Sequence, residues 1–443
     1  MRYTDRILLI LCTILLGLVA HSHARLLPYF TIPDQNRNYN AVGKQIYAIT
    51  WQGLHYTKPY IVERELSFVQ AGSRLDSTSL QNMKERLQGL DIFASVEAVT
   101  EIDNDKVAIR WEVKELPPVL VYPAVGTDSR GNAQYGGGIF SLNLGGRDIE
   151  AIGTAMFGKT KNYDFVIRSP WIGWNHFSSE FSSSFSERDN PLEQFYEKTW
   201  SHSLWFGSWI GEVGRVGVGA GWFEMDADSV RSTISHTGYD KQQWFGARAA
   251  IDRRDRTTRT MAGWWGETEF RNYIGDGEFA EGLLDARWWV PILGNVYFYQ
   301  SDWMRVRNRT PETGLPRYYL LHVGGTNSVR GYSNSDLSTG SYGSNEYIVT
   351  SEIRWRVLPK VVGHGLGMAI PFGVELAGFT DIGAAWTKRI TETRRSIGGG
   401  FGLRFLVPSF QEVRFDFGIG EGGNHEVAFG LNTKMYWQSL RVR

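Results

Sequence analysis

The sequence predicts an all-β transmembrane barrel of about sixteen antiparallel strands, preceded by one small α+β domain. Three observations predict it. Apolar and polar residues alternate in segments of about ten residues over most of the chain, and the apolar faces are rich in aromatics. Glycine (50), tyrosine (20) and tryptophan (17) are abundant, as many turns between aromatic strands require. No run approaches the roughly eighteen apolar residues of a spanning helix, so a membrane-embedded form has to be a closed barrel. The 47 basic residues balance 47 acidic ones, which argues against a general nucleic-acid binder.

The chain opens on a targeting pattern. Arg2 and Arg6 flank the start of an apolar run from Ile7 to Ala20, and Ser22-His23-Ala24 offers small residues for cleavage. Residues 1–24 therefore read as a secretory signal peptide. The run is short for a bilayer span. Cys12 lies inside it, so cleavage leaves a mature chain with no cysteine for a disulfide or thiolate metal site. Residues 25–43, broken by Pro28 and Pro33, read as a linker.

Residues 44–116 have a different texture. Val107, Ile109, Trp111 and Val113 alternate as in a half-buried strand, and Leu80, Met83 and Leu87 recur at helical spacing. Asp76 reads as N-cap and Gly89 as C′ residue of a helix over 77–88. A shorter helix is expected over 58–66, capped by Thr57 with Pro59 in its first turn. Strands near 46–52 and 94–101 complete the order β-α-α-β-β. That order, with Ile49-Thr50-Trp51-Gln52-Gly53, Thr57, Ile61-Val62, Glu65-Leu66, Ala71-Gly72, Phe93, Val96 and Val113-Lys114-Glu115, resembles a POTRA domain. The resemblance implies a periplasmic module whose sheet edge accepts extended segments of periplasmic partners. Pro117-Pro118 forms a stiff junction.

The barrel is expected over 119–435. Strands are placed near 119–126, 134–144, 148–158, 162–169, 175–186, 197–208, 214–224, 241–251, 259–270, 280–290, 295–307, 345–357, 371–386, 396–407, 412–420 and 425–435. Tyr347, Val349, Ile353, Trp355 and Val357 share one face, opposite Glu346, Glu352, Arg354 and Arg356; the polar set is assigned to the lumen. The pairs Trp264-Trp265, Trp288-Trp289, Tyr318-Tyr319 and Tyr436-Trp437 near strand ends read as aromatic girdles.

A glycine-rich loop at about 308–344 carries Val329-Arg330-Gly331-Tyr332, and loops of that length inside a compact fold are usually functional or disordered. Glu352 and Asp381 are assigned to the inner wall, Asp381 by its shared parity with Glu375 and Phe379. Arg330 reaching both would form a latch, since a guanidinium grips a carboxylate through two parallel hydrogen bonds that a lysine does not reproduce. Gly331 supplies the tight turn.

Val329-Arg330-Gly331-Tyr332, Glu352 and Gly378-Phe379-Thr380-Asp381-Ile382-Gly383, in that order behind a POTRA-like module, resemble the hallmark of the BamA/TamA-type outer-membrane assembly superfamily. Asn143-Leu144-Gly145-Gly146-Arg147 and Ser169-Pro170-Trp171 also resemble words of that family, so the match covers roughly residues 44–435. Family members of the assembly type usually carry several POTRA domains, where this chain has room for one.

The resemblance implies residence in the bacterial outer-membrane lipid bilayer, unfolded outer-membrane or secreted polypeptides as clients, and a weak seam between first and last strands. Pro123 removes a ladder donor from the first strand, and Phe429 and Leu431 lie on the last. Insertion through that seam is the leading expectation. A translocation pore or a static barrel are the alternatives. No catalytic residue, metal site or cofactor is expected: the nine histidines lack ligand spacing, no nucleophile elbow occurs, and Gly363-His364-Gly365-Leu366-Gly367 reads as a turn rather than a phosphate loop.

Overall fold

A computed structural model describes residues 39–431 apart from 68, 70, 128–132, 173–176, 191–194, 212, 256–259, 309–318, 326–327, 333–340, 366–367, 388–394 and 407–412. The signal peptide, residues 25–38 of the linker, Tyr318 and the Tyr436-Trp437 pair lie outside the described residues.

The N-terminal elements are β1 (Gln45–Gln52), α1 (Pro59–Glu65), α2 (Ser77–Gln88), β2 (Phe93–Asp103) and β3 (Lys106–Glu115). The sheet order is β1-β3-β2, with β1 parallel and β2 antiparallel to β3. Both helices pack an apolar stripe onto it, so Ile61, Val62, Met83, Leu87, Ile109 and Trp111 form a dry core. Asp76 caps α2, accepting from the Ser79 amide at 2.6 Å. Two expectations fail here. Thr57 does not cap α1: Lys58 holds that position without a side-chain bond, and the Thr57 hydroxyl instead accepts from Asn143 of the second domain at 2.8 Å. Gly89 is right-handed (φ −63), and the left-handed residue that reverses the chain is Asp91 (φ 55); a short side chain tolerates that region.

The second sheet has sixteen antiparallel strands. They are β4 (Leu120–Thr127), β5 (Ala133–Ser141), β6 (Glu150–Gly158), β7 (Lys161–Ser169), β8 (Phe177–Asp189), β9 (Tyr196–Ile210), β10 (Gly214–Ala227), β11 (Tyr239–Asp252), β12 (Gly263–Gly275), β13 (Phe279–Leu293) and β14 (Val296–Arg307). A short ribbon, β15 (Leu321–Val323) with β16 (Ser341–Gly343), interrupts the long loop. The wall resumes with β17 (Asn345–Gly365), β18 (Met368–Trp386), β19 (Ser396–Leu406), β20 (Val413–Gly420) and β21 (His425–Leu431). Each wall strand pairs with the next, and β14 pairs with β17 across the loop. Among the described residues no ladder joins β4 to β21.

Side chains sort oppositely to those of a soluble protein. Val121, Val218, Phe245, Leu293, Ile353, Trp355, Phe401 and Val427 are exposed, whereas Arg168, Glu180, Arg287, Glu352, Arg354, Glu375 and Arg404 are buried. This is an apolar exterior around a polar interior.

The girdle expectation is corrected for three residues: Tyr319 is buried with Phe195, Met225 and Ala227, and two tryptophans also point inward. Trp265 and Trp289 are buried in an interior cluster with Tyr297 and Tyr299. The reason is the period of two: neighbouring residues on a strand face opposite sides, so one member of a Trp-Trp pair has to point inward. Likewise Gly363, His364 and Gly365 belong to β17, paired with β18, rather than to a turn; Leu366 and Gly367 lie outside the described residues.

Candidate functional site

The site is where the long loop meets the inner wall. The loop leaves β14, forms the β15–β16 ribbon, and turns at Gly331 with φ 97, a region open to glycine at little cost. A Cβ there would lie 2.4 Å from the Ile419 carbonyl carbon, so the turn also needs a residue without a side chain against β20. The wall is bare opposite it. A Cβ on Gly398 would meet the Arg330 carbonyl at 1.8 Å, and one on Gly418 the Gly331 nitrogen at 2.6 Å. Gly383 likewise leaves room for Val323 and Val329.

Arg330 is 1% exposed. Its Nε and Nη2 donate to the two oxygens of Asp381 at 2.6 and 2.8 Å, the side-on pairing that the fork geometry favours. The Arg330 backbone amide donates to the same carboxylate at 3.0 Å. Nη1 lies 2.8 Å from Glu352 Oε1 and 3.1 Å from Asp416 Oδ2. Its carbon sits 3.4 Å from the ring centre of Phe379, where the ring face attracts a cation. The structure thus brings Arg330 of the loop together with Glu352 of β17 and Asp381 and Phe379 of β18.

The flanking residues fasten the loop. Val329 is buried with Val323, Tyr332 and Ala385. The Tyr332 hydroxyl donates to the Ile397 carbonyl at 3.1 Å and accepts from the Ile397 and Glu421 amides at 3.2 and 3.3 Å. The Gly331 amide donates to Glu426 on β21 at 3.3 Å. Gly378 stands apart: its face is open, and a Cβ there would meet nothing within 4 Å.

Sequence reasoning missed how far the network extends. Arg404 of β19 donates to Glu352 at 3.1 Å and also pairs with Asp416 of β20. Arg354 donates to Glu352 at 2.7 Å, Arg356 to Glu375 at 2.8 Å, and Tyr297 to Glu375 at 2.8 Å. Four arginines (330, 354, 356, 404) therefore meet four carboxylates (352, 375, 381, 416) across neighbouring strands. Burying such charges is tolerable only with mutual compensation of this kind. The strand alternation that placed Asp416 inward was visible, but nothing in the chain spacing tied it to Arg330.

At the other end of the wall, Pro123 of β4 lies opposite Gly137 of β5. The Tyr122 ring covers Gly138, and its hydroxyl meets that of Thr154 at 2.9 Å. The backbones of Phe429 and Leu431 pair with Phe415 and Val413; their side chains lie outside the described residues. Among the described residues no ladder joins Pro123 to β21.

Comparison with known proteins adds family to geometry. The Omp85 superfamily domain matches residues 130–435. The outer membrane protein assembly factor BamA of Nitratidesulfovibrio vulgaris is 21% identical over 405 residues, covering 85% of this chain. The chain spans 48% of that relative's length. Among solved structures, BamA from Haemophilus ducreyi lacking POTRA domains 1-3 aligns with a TM-score of 0.56 at 15% identity, over 87% of this chain and 83% of that one. CdiB from Acinetobacter baumannii aligns with a TM-score of 0.56 at 14% identity, over 87% and 73%. At these identities the structures speak for a shared fold.

Proposed function

Because the chain belongs to the Omp85 superfamily, we propose that it inserts polypeptides into the outer membrane from the edge between β4 and β21, while the Arg330 latch holds the surface loop inside the barrel. The barrel lies in the outer membrane, with the α+β domain on the periplasmic side. The single observation that carries the reading is the pairing of an unjoined sheet edge with a braced wall beside it. No ladder joins β4 to β21 among the described residues, and the loop tip fastens to β17, β18, β20 and β21.

The physics is that of an edge in lipid. Unpaired backbone groups in hydrocarbon cost several kcal/mol each, roughly. An edge there takes a partner, either the opposite edge or an incoming strand. An unfolded client could pair first with one edge, fold outward strand by strand, and leave as a closed sheet. Its own folding free energy drives the exchange, and no covalent step is needed. The latch keeps β17 to β21 rigid so that opening is confined to the seam. Unfolded outer-membrane polypeptides are the proposed clients, with the α+β domain receiving them first.

The test uses a cysteine pair, one residue in β4 and one in β21, in a Cys12→Ser background. Oxidation should stop client insertion in proteoliposomes, and reduction should restore it. Insertion that continues with the seam closed would overturn the reading. If export of a polypeptide instead persisted in the oxidised protein, the lumen rather than the edge would be the route.

A further inference from the structure

We propose that the exposed surface where the α+β domain meets the barrel is a lipid-contact surface, seated on the phospholipid headgroups of the periplasmic leaflet. The α+β domain is fixed to two inner turns of the barrel. Arg64 of α1 pairs with Asp148 at 2.6 Å and lies 4.8 Å from the Trp171 ring centre. The Lys58 amide donates to the Gly146 carbonyl at 2.8 Å, and the Gly145 amide to the Tyr56 hydroxyl at 3.0 Å. Gly146 itself permits this approach, since a Cβ there would fall 2.1 Å from the Tyr56 carbonyl oxygen.

What that dock leaves uncovered is apolar and aromatic. Tyr56 is 39% exposed, Tyr60 50%, Leu144 40% and Ile172 40%, which is unusual for large side chains gathered at one junction. Tyr60 stands four residues before Arg64 and so shares its helix face, toward the barrel turns.

The patch is continuous with the lipid-facing band. The Ile172 amide donates to the carbonyl of Phe177, the first residue of β8, whose ring is 43% exposed on the barrel exterior. The junction therefore begins where the hydrocarbon-facing surface ends. Amphipathic tyrosines at that height suit a headgroup layer, with rings in the apolar boundary and hydroxyls in the wet one. Lys58 and Arg147 are exposed beside the rings and offer charge to lipid phosphates, against one exposed carboxylate, Glu63, on α1. A surface of this kind would hold the α+β domain at a fixed height under the seam, independent of whether the barrel inserts or exports.

The experiment places spin labels on the full chain, Cys12→Ser background, in bilayers of phosphatidylethanolamine and phosphatidylglycerol. Labels go on Tyr60→Cys, Leu144→Cys or Ile172→Cys. The water reference is Ile102→Cys, 46% exposed at the end of β2 far from the junction. Collision with molecular oxygen relative to a water-soluble nickel chelate should be several-fold higher at the three junction sites than at Ile102. Each reads the same patch, so a variant that fails the heat-modifiability check leaves the others to decide. Equal nickel access at all four sites overturns the proposal. So does protection from both reagents that arises only when a periplasmic protein fraction is added, because the cover would then be protein.

Discussion

In the α+β domain Trp111, Ile109 and Met83 lie inside, while Arg110 and Glu112, their strand neighbours, face out. In the barrel Glu352, Arg354 and Arg356 lie inside, while Ile353 and Trp355 face out. Both regions alternate with the same period of two, and a strand cannot do otherwise. What differs is the solvent on the far side. Water outside drives apolar groups together in the first domain. Lipid outside accepts apolar groups in the second, so charges gather within and have to neutralise one another. The two regions should therefore fail in different ways when a central residue is removed.

The largest effect is expected from Arg330→Ala. It leaves Asp381, Glu352 and Asp416 short of a buried cation, and breaking such a buried network costs about 3–5 kcal/mol. Loss of the heat-modifiable folded band and faster proteolysis of the loop are the readouts. Unchanged values for both would remove the latch from the account and weaken the contrast.

Met83→Ala tests the other region. Met83 is fully buried in the α+β core, and truncation of such a side chain costs about 2–5 kcal/mol. Hydrogen exchange should show that domain opening while the barrel keeps its heat-modifiable band. If the barrel lost it too, the two regions would not be energetically separate.

Gly331→Ala probes backbone rather than charge. The residue sits at φ 97 with β20 close by, and forcing a Cβ into such a position costs roughly 1–3 kcal/mol. The folded band should persist with a lowered melting temperature. A variant as stable as the parent would show that the turn tolerates a side chain.

The smallest effect sharpens the comparison by pH. Burial pushes the Glu115 carboxyl up, but hydrogen bonds from Thr57, Tyr56 and His55 outweigh it and hold the group below its usual range. A folded-state value below the unfolded one means the carboxylate stabilises the domain above the ordinary glutamate range, near about 4.3. That contribution is lost as pH falls through the lower folded value. Amide protection at residues 55–57 should fade on acidification, and Glu115→Gln should flatten the dependence; an equal pH response in that variant would assign it elsewhere.

Much of this was legible in the chain because the signals are local. Residues 345–357 announce their two faces in one reading, and the sixteen wall strands fall within a few residues of where alternation puts them, apart from the β17–β18 hairpin, which runs farther. The α2 cap at Asp76 is equally local. Thr57 misled because its hydroxyl is used by Asn143, 86 residues away, and a distant partner outbids a nearby helix end without leaving a local mark. Trp265 and Trp289 misled for a related reason: composition says aromatic, and only strand parity says which side.

The sequence by itself determined where strands run, which of their faces is polar, and that a glycine-turned arginine sits in the long loop. Those properties follow from backbone period and side-chain chemistry. Only the tertiary structure decided that Asp416 and Arg404 join Asp381 and Glu352 around Arg330, that Gly398 and Gly418 clear the wall for the loop tip, and that no ladder joins β4 to β21 among the described residues. Strand register sets these side chains of neighbouring strands beside one another and the loop folds back onto them, and no spacing along the chain records that proximity.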